Sequence, residues 1–390
     1  MGGDSGRRAK TAMMNETITI NDANDVQWAA NKNWASRPKD QTFADLASLK
    51  ASVASRRRRS LEANVDIHDV TFHPMDDGNG LQVMAAGEFA QPTNWAFGQT
   101  ASLLGAPAAY LRKLPADLAA KNLNHMASVR ERESFKFLMV DSENEADDRV
   151  ELWASTSVEY GRIYDEDVVA MAERIIGADD RWFSPYAWGK KTRALWASDR
   201  DIFMYFIDGG SIVDAGRDPM GRQRQHNRGI YLWNSEVGKT TFGLSTFTFD
   251  ETCGNFQIWG IRDIKLLKIR HTSGGPERFI NEAAPALKEY VASSTKYLES
   301  AIKAARAYML PKDDKEFTSF FMSNKAARFT AAEVRRARAL AEQEEGSSAS
   351  LFDMVNGFTA QARLLVHADS RADLESRAGK LMKLVSEHVQ

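Results

Sequence analysis

The chain has 390 residues, 43% of them apolar, and a formal net charge of −2. This length suits one large core with added segments, or two domains, and the near-neutral total gives no overall attraction for nucleic acid or membranes. The single cysteine, Cys253, excludes an intramolecular disulfide framework and a Cys-rich zinc site. No apolar run is long enough to span a bilayer, and no signal core is present, so we expect a cytoplasmic protein without membrane contact.

The first part of the chain is a polar tail followed by a helix. Residues 1–24 lack sustained apolar periodicity, which predicts a mobile tail. Apolar residues three and four apart then predict a helix from Thr42 to about Arg59, which ends in four consecutive arginines. We interpret this arginine run as a solvated helix end favoured by the macrodipole, with phosphate binding as the alternative.

The next segment predicts a hairpin around Pro74 to Gly80 and then a helix, a turn and two further helices over residues 93–126. This order also fits a helix-turn-helix, whose second helix reads the DNA major groove. Only Arg112 and Lys113 precede Pro115 as readers of bases or phosphates. A packing unit is therefore the favoured interpretation.

Charge is polarised along the middle of the chain. A second predicted hairpin, Phe135 to Val140 and Val150 to Ser157, is followed by a helix for which Asp165 is the predicted N-cap. Residues 141–180 carry 13 Asp and Glu against 3 Arg, whereas residues 181–275 carry 14 Lys and Arg against 9 Asp and Glu. Five of the nine tryptophans also fall in the second window.

The stretch 228–272 predicts the centre of a sheet. Its β-branched and aromatic runs indicate strands at Gly229–Asn234, Thr240–Phe249, Phe256–Trp259 and Ile264–Ile269. Helical periodicity then begins at Pro276 and continues for about 30 residues. Pairs that form capping boxes predict three more helices; they are Thr330 with Glu333, Ser350 with Asp353, and Ser370 with Asp373.

Together these elements predict an α+β fold with a central, mostly antiparallel sheet, helices packed on it and a helical C-terminal third. The predicted organisation is a tail (1–24), a helical and hairpin segment (25–130), a β-rich core (131–275) and a helical segment (276–390).

No motif in the sequence establishes an enzymatic activity. Gly238, Lys239 and Thr240 resemble the end of a phosphate-binding P-loop, but Trp233 stands where that loop needs glycine. The carboxylates at 165–167 have an ordinary explanation as an acidic helix start. We therefore lean against catalysis and expect no metal and no cofactor, while a hydrolase or nuclease that uses scattered carboxylates stays open as a hypothesis.

The basic and aromatic window is the main candidate for function. Single-stranded nucleic acid is bound by cations along its backbone and by aromatic faces on which bases stack. The alternatives are a buried strand tryptophan, solvated lysines, and an Arg-His pair that caps backbone groups or pairs with carboxylates. The predicted nucleic-acid-binding residues are Arg222, Arg224, Arg228, Trp233, Lys265, Lys268, Arg270 and His271.

Several stretches, taken in order, resemble the phage/plasmid-like proteins of domain-of-unknown-function family 932. They are STSVEYGRIYDEDVV, TRALWASDRDIFMYFID, RGIYLWNSEVGKTTFGLSTFTFDETCGN, the IRHT element and SLFDMVNGFTAQ. The likeness runs from about Phe97 to the C-terminus. It maps onto Tyr160 with Arg162, Cys253 with Asn255, Arg270 to Thr272, and Asn356 with Thr359, but Gly254 and Gly357 stand where alanine is expected.

The resemblance implies a product of a phage, plasmid or integrated element, in the bacterial host cytoplasm. Genes of such elements often serve DNA replication or recombination, so we expect a nucleic-acid-binding accessory factor of single-strand annealing type that forms a homo-oligomer. Two alternatives remain open. One is a structural or interaction protein in which Arg270 and His271 hold the acidic 141–180 region, and the other is the metal-dependent hydrolase.

Overall fold

The computed structural model describes residues 41–76, 80–143, 148–178, 180–185, 194–217, 221, 223–250, 255–257, 267–325, 327–365, 374 and 377–386. The predictions for the N-terminal tail, for Cys253 and for the Ser370–Asp373 capping pair lie outside these residues.

In the N-terminal part, the described residues form four α-helices and six strands. In chain order they are α1 (Leu46–Arg58), β1 (Ser60–Asp66), β2 (Thr71–Pro74), β3 (Leu81–Ala85), β4 (Glu88–Pro92), α2 (Asn94–Leu103), α3 (Ala108–Leu111), α4 (Ala116–Val129), β5 (Ser134–Asp141) and β6 (Val150–Ser157). Both predicted hairpins, β2–β3 and β5–β6, are confirmed as antiparallel pairs.

These six strands form one sheet with the order β1-β5-β6-β4-β3-β2, in which only the β4–β6 pair is parallel. Apolar side chains of α2 and α4 pack with those of the strands into one core. Because β5 and β6 join strands from before residue 130, the segment boundary predicted there falls inside a sheet. The boundary prediction failed because it depends on which strands pair, and sequence patterns do not reveal strand pairing.

In the central part, the described residues form one helix and seven strands, and these strands make up a second sheet. They are α5 (Asp165–Ile175), β7 (Trp182–Phe183), β8 (Leu195–Ala197), β9 (Ile202–Arg217), β10 (Gln223–Asn234), β11 (Phe242–Asp250), β12 (Asn255–Gln257) and β13 (Leu267–Ile269). The order is β12-β11-β10-β9-β7, with β13 beside β11 and β8 beside β9, and all pairs are antiparallel.

Both faces of the second sheet are buried. In β9, Met204 belongs to a core shared with α1 and α5, whereas its neighbour Tyr205 belongs to an aromatic cluster on the opposite face. This alternation follows the two-residue period of a strand. β10 and β11, which supply most of the stretch 228–272, lie inside this sheet between β9 and β12, so the predicted sheet centre is confirmed. The described residues form two sheets, whereas one was predicted.

The C-terminal third is helical, as predicted. Its helices are α6 (Gly275–Arg278), α7 (Ala284–Ala292), α8 (Lys296–Ala307), α9 (Asp314–Ser323), α10 (Ala331–Glu345), α11 (Leu351–Arg363) and α12 (Lys383–Ser386). The single 30-residue helix predicted from Pro276 is wrong. A π-helical stretch, Phe279–Ala283, separates α6 from α7, and residues 293–295 separate α7 from α8.

Two predicted helix starts are confirmed as capping boxes. Thr330 accepts from the Glu333 backbone amide, and Ser350 accepts from that of Asp353, with the reciprocal bonds also present. The class is α+β. Among the described residues, no helix combines the length and the apolar character that crossing a membrane requires.

Candidate functional site

Those predicted nucleic-acid-binding residues that the structure describes do not form one surface. Arg224 and Trp233 lie at opposite ends of β10, nine residues apart, which is about 30 Å at the rise of a strand. Arg270 follows β13, whose Ile269 pairs with Phe242, so it lies at the Trp233 end. The strand direction therefore separates residues that the sequence groups together.

Arg228 has a structural position, which corrects its predicted role as a phosphate ligand. Its side chain is buried and its Nε lies 2.9 Å from Asp208 Oδ2. Its two Nη atoms donate to the carbonyl oxygens of Tyr290, Val291 and Ser293. These carbonyls belong to the C-terminal end of α7, where a helix leaves acceptors unpaired and favours a cation.

Trp233 is fully buried, so its predicted role as a stacking platform is also corrected. Its ring stacks on Tyr231 with a centroid distance of 4.9 Å. Gly243 is its partner across β10 and β11, and a Cβ added there would lie 1.8 Å from Trp233 Cζ2. The indole fills the space that this glycine leaves.

His271 holds the 160–163 segment, as one of the alternatives predicted. Its ring stacks on Tyr160 with centroids 5.1 Å apart, its Nδ1 accepts from the Ile163 amide, and its carbonyl accepts from Gly161. Burial, helped by the charge of Arg162, lowers the pKa of His271 to about 4. The imidazole is therefore neutral at physiological pH and does not neutralise a phosphate.

The remaining predicted residues differ in exposure, and some of them are not described. Arg270 is exposed, and Lys268 is half-buried. The predictions for Arg222 and Lys265, and for the side chain of Arg224, lie outside what the structure describes.

The arginine run at the end of α1 is mostly engaged inside the fold. Arg56 is buried, Arg57 lies 3.6 Å above the centroid of the Tyr164 ring, and Arg59 donates to the Asp141 carbonyl. Arg58 is the exposed member. The interpretation as a solvated helix end therefore holds for one of the four residues.

The helix-turn-helix alternative does not fit the geometry. The second helix, α3, has only four residues, too few to lie along a major groove and present several base readers. Arg112 follows it as the C-cap, and its Nη2 donates to the Asn94 carbonyl at 2.8 Å. This bond places the guanidinium beside the N-terminal turn of α2.

A cleft of about 390 Å³ lies between α2 and the turn that joins β8 to β9. Arg112 contributes a cation from one side, and Arg200 contributes a second cation from the turn. The half-buried Trp95 adds an aromatic ring to the wall. The rest of the lining is mostly polar or small: Asn94, Gly98, Gln99, Ser102, Leu103 and Ser155.

Hydrogen bonds to the loop between β10 and β11, residues 235–241, position the cleft. The Val237 carbonyl accepts from Trp95 Nε1 at 3.0 Å and from Gln99 Nε2 at 2.7 Å. The same Gln99 accepts from the Ser155 amide, and Ser235 Oγ donates to the Arg200 carbonyl at 2.6 Å. One loop therefore fixes both walls of the cleft.

The cation of Arg200 is only weakly compensated. Its Nε lies 3.6 Å from Asp199 Oδ1, beyond hydrogen-bond distance, and has no hydrogen-bond partner among the described residues. About a third of the side chain is exposed. Guanidinium groups bind phosphates and carboxylates through paired hydrogen bonds, so this cleft suits an anion.

The same loop also contributes Glu236 to a buried ion cluster. Arg56 Nη2 lies 2.5 Å from Asp165 Oδ2, and Arg56 Nε lies 2.9 Å from Glu236 Oε1. Asn234 Nδ2 donates to Asp165 Oδ1 at 2.7 Å, and Glu236 Oε2 accepts from the Asp165 amide. The predicted N-cap role of Asp165 is therefore wrong, because Tyr164 is the N-cap and the Asp165 carboxylate faces Arg56.

Two carboxylates share one arginine in this cluster. Burial, followed by the negative charge of Glu236, raises the pKa of Asp165 to about 7, and the charge of Arg56 opposes this rise. Both Asp165 oxygens are engaged by protein groups, and the residue is 1% exposed. The cluster therefore joins α1, α5 and the β10–β11 loop rather than offering a group to a substrate.

Residues that could hold a metal ion are not grouped in the described parts of the chain, where no cluster of three His, Cys, Asp or Glu side chains occurs. Of the cleft residues, the sequence had marked only Arg112. Trp95 and Arg200 carried no signal of their own, because they are 105 residues apart and only the packing of α2 against the β8–β9 turn brings them together.

No family model, curated protein or solved structure matches this chain. The resemblance to domain-of-unknown-function family 932 therefore stays a prediction, and the cleft is the feature of the structure that indicates a function.

Proposed function

We propose that the chain binds single-stranded nucleic acid in the cleft between α2 and the β8–β9 turn, as an accessory factor without a catalytic role. Arg112 and Arg200 contact backbone phosphates, and a base stacks against Trp95. The exposed Arg270, at the same end of the second sheet, extends the basic surface.

One observation carries this proposal: Trp95 and Arg112 line one cleft together with Arg200, which comes from a distant part of the chain. Cations that follow the backbone, combined with an aromatic face, are the recognition elements of single-strand binding proteins. The volume lies in the range of about 300–1,000 Å³ typical of small-ligand sites, which is enough for a nucleotide unit. The amides of Asn94 and Gln99 supply hydrogen-bonding groups beside it.

Fluorescence anisotropy with labelled single-stranded DNA, duplex DNA and RNA, measured between about 50 and 200 mM salt, tests the proposal. We expect the tightest binding for single strands and a steep salt dependence. The double variant Arg112→Gln/Arg200→Gln should flatten the slope of log K against log salt by about 1.4, because each phosphate contact on a single strand contributes about 0.7.

The matched control is Arg335→Gln/Arg336→Gln, which removes two exposed arginines of α10 and should leave the slope unchanged. Absence of binding at the lowest salt overturns the proposal. Equal slopes for the two double variants would show that binding occurs elsewhere on the chain and would overturn the assignment to this cleft.

A further inference from the structure

A second cleft, of about 440 Å³, lies beside α5 and has a more apolar lining than the first. Its walls are α5 and the segment of α6, the π-helical stretch and α7. Most of its lining is apolar and includes Met171, Phe279 and Ile280. Its charged lining residues are Arg162, Asp167 and Arg174.

The apolar wall includes one large apolar side chain that is mostly exposed. Ile280 is 69% exposed, the most exposed large apolar side chain among the described residues. It belongs to the π-helical stretch Phe279–Ala283. Such π-bulges carry one extra residue in a turn and are frequent at functional sites. Here the bulge leaves Phe279 buried and places Ile280 at the cleft.

The charge at the rim is basic. Arg174, in the last turn of α5, is exposed and forms no ion pair or hydrogen bond with a described residue. Asp167 is the acidic residue of the lining. Burial raises the pKa of Asp167, and the nearby cation of Arg57 opposes this effect, so the acid is partly offset within the protein. An anion bound at Arg174 would neutralise the positive charge of this side chain.

We propose that this cleft binds a small amphipathic organic anion, whose apolar body lies against Met171, Phe279 and Ile280 and whose carboxylate contacts Arg174. Concave, mostly apolar sites with a few polar groups that fix orientation are typical of small-molecule binding, and the volume falls in their usual range of about 300–1,000 Å³. This site does not depend on the nucleic-acid cleft, since the two share no lining residue.

The test is a fluorescence titration of the full chain with 11-(dansylamino)undecanoic acid, compared with its uncharged methyl ester. We expect saturable binding of the acid at one site and about tenfold weaker binding of the ester, because a charge-assisted hydrogen bond is lost. Arg174→Gln should weaken binding of the acid about tenfold and leave the ester unaffected. Ile280→Glu should weaken both ligands.

Matched controls separate this site from non-specific adsorption. Arg335→Gln removes an exposed arginine of α10, and Met322→Glu places a charge at a side chain of α9 that is 51% exposed. Both should bind the acid as the parent chain does. Non-saturable binding, equal affinities for acid and ester, or variants at 174 and 280 that match their controls would each overturn the proposal.

Discussion

Arg56 and Asp165 form a buried ion pair, with Nη2 and Oδ2 2.5 Å apart, that joins the last turn of α1 to the first turn of α5. Glu236 completes the cluster from the β10–β11 loop, whose Val237 carbonyl holds Trp95 and Gln99 at the cleft. The geometry of the proposed nucleic-acid site therefore depends on a charge cluster that a ligand does not touch.

Removal of the central cation should destabilise the fold strongly. Arg56→Met leaves the carboxylates of Asp165 and Glu236 buried without their shared partner, and breaking a buried pair in this way costs about 3–5 kcal/mol. Urea unfolding measures this loss. Arg58→Met, two residues further along α1 at an exposed position, should change the free energy of unfolding by no more than about 0.5 kcal/mol. Similar losses for the two variants would contradict the role assigned to Arg56.

The cluster should also give stability a distinctive pH dependence. Because the pKa of Asp165 rises from its ordinary value of 3.8 to about 7, the folded state holds a proton that the unfolded chain releases between these values. Stability contributed by this group therefore falls as pH rises from about 4 to 7. We expect the free energy of unfolding of the parent, minus that of Asp165→Asn, to decrease over this range in urea titrations.

Asp66 is the control, because its pKa is shifted in the opposite direction to that of Asp165. Hydrogen bonds from the His68 amide and from Arg132 lower the pKa of Asp66 below 3.8, so its contribution is present above that value and is lost only as pH falls through the folded pKa. The difference between the parent and Asp66→Asn should stay nearly constant from pH 5 to 7. A parent-minus-Asp165→Asn difference that grows with pH would sink the interpretation of the cluster.

The close contact between Gly243 and Trp233 predicts a large effect of one methyl group. Gly243→Ala places a Cβ 1.8 Å from Trp233 Cζ2 in a fully buried position, which should destabilise the chain by about 1–3 kcal/mol or more. Combination with Trp233→Leu should be less than additive, because the second change removes the clash. Gly274→Ala is the control, since nothing lies within 4 Å of its added Cβ. Additive losses in thermal or urea unfolding would disprove the contact.

Trp95 should contribute to binding through a base rather than through phosphate. Trp95→Leu is expected to weaken single-strand binding by about 1–3 kcal/mol per stacked base, without a change in salt slope. An abasic oligonucleotide of equal length should show no such loss. Trp153→Leu is the matched control, because Trp153 is also half-buried in the cluster around Val237 but does not line the cleft. Equal effects of the two variants would argue against stacking on Trp95.

Much of the fold was predictable because its signals are local. The strand patterns at Gly229–Asn234 and Thr240–Phe249 and the capping boxes at Thr330 and Ser350 depend only on neighbouring residues. β10, β11 and the two helices form at these places, although β10 begins at Gln223 and β11 at Phe242. Gly357 is explained only by packing, because a Cβ there would lie 2.2 Å from the Ala337 carbonyl of α10.

The sequence predicted the residue types of the candidate site but not which residues form it. Cations and tryptophans were the residue types singled out, but Arg228, Trp233 and His271 proved to be interior groups, while Arg200 and Trp95 line the cleft. The sequence by itself determined the α+β class, the capping boxes at Thr330 and Ser350 and the alternation of apolar residues, since these follow from backbone hydrogen bonding and side-chain direction. Only the tertiary structure decided which charges are buried against a partner and which face a cleft, because that depends on strand pairing and helix packing between residues far apart in the chain.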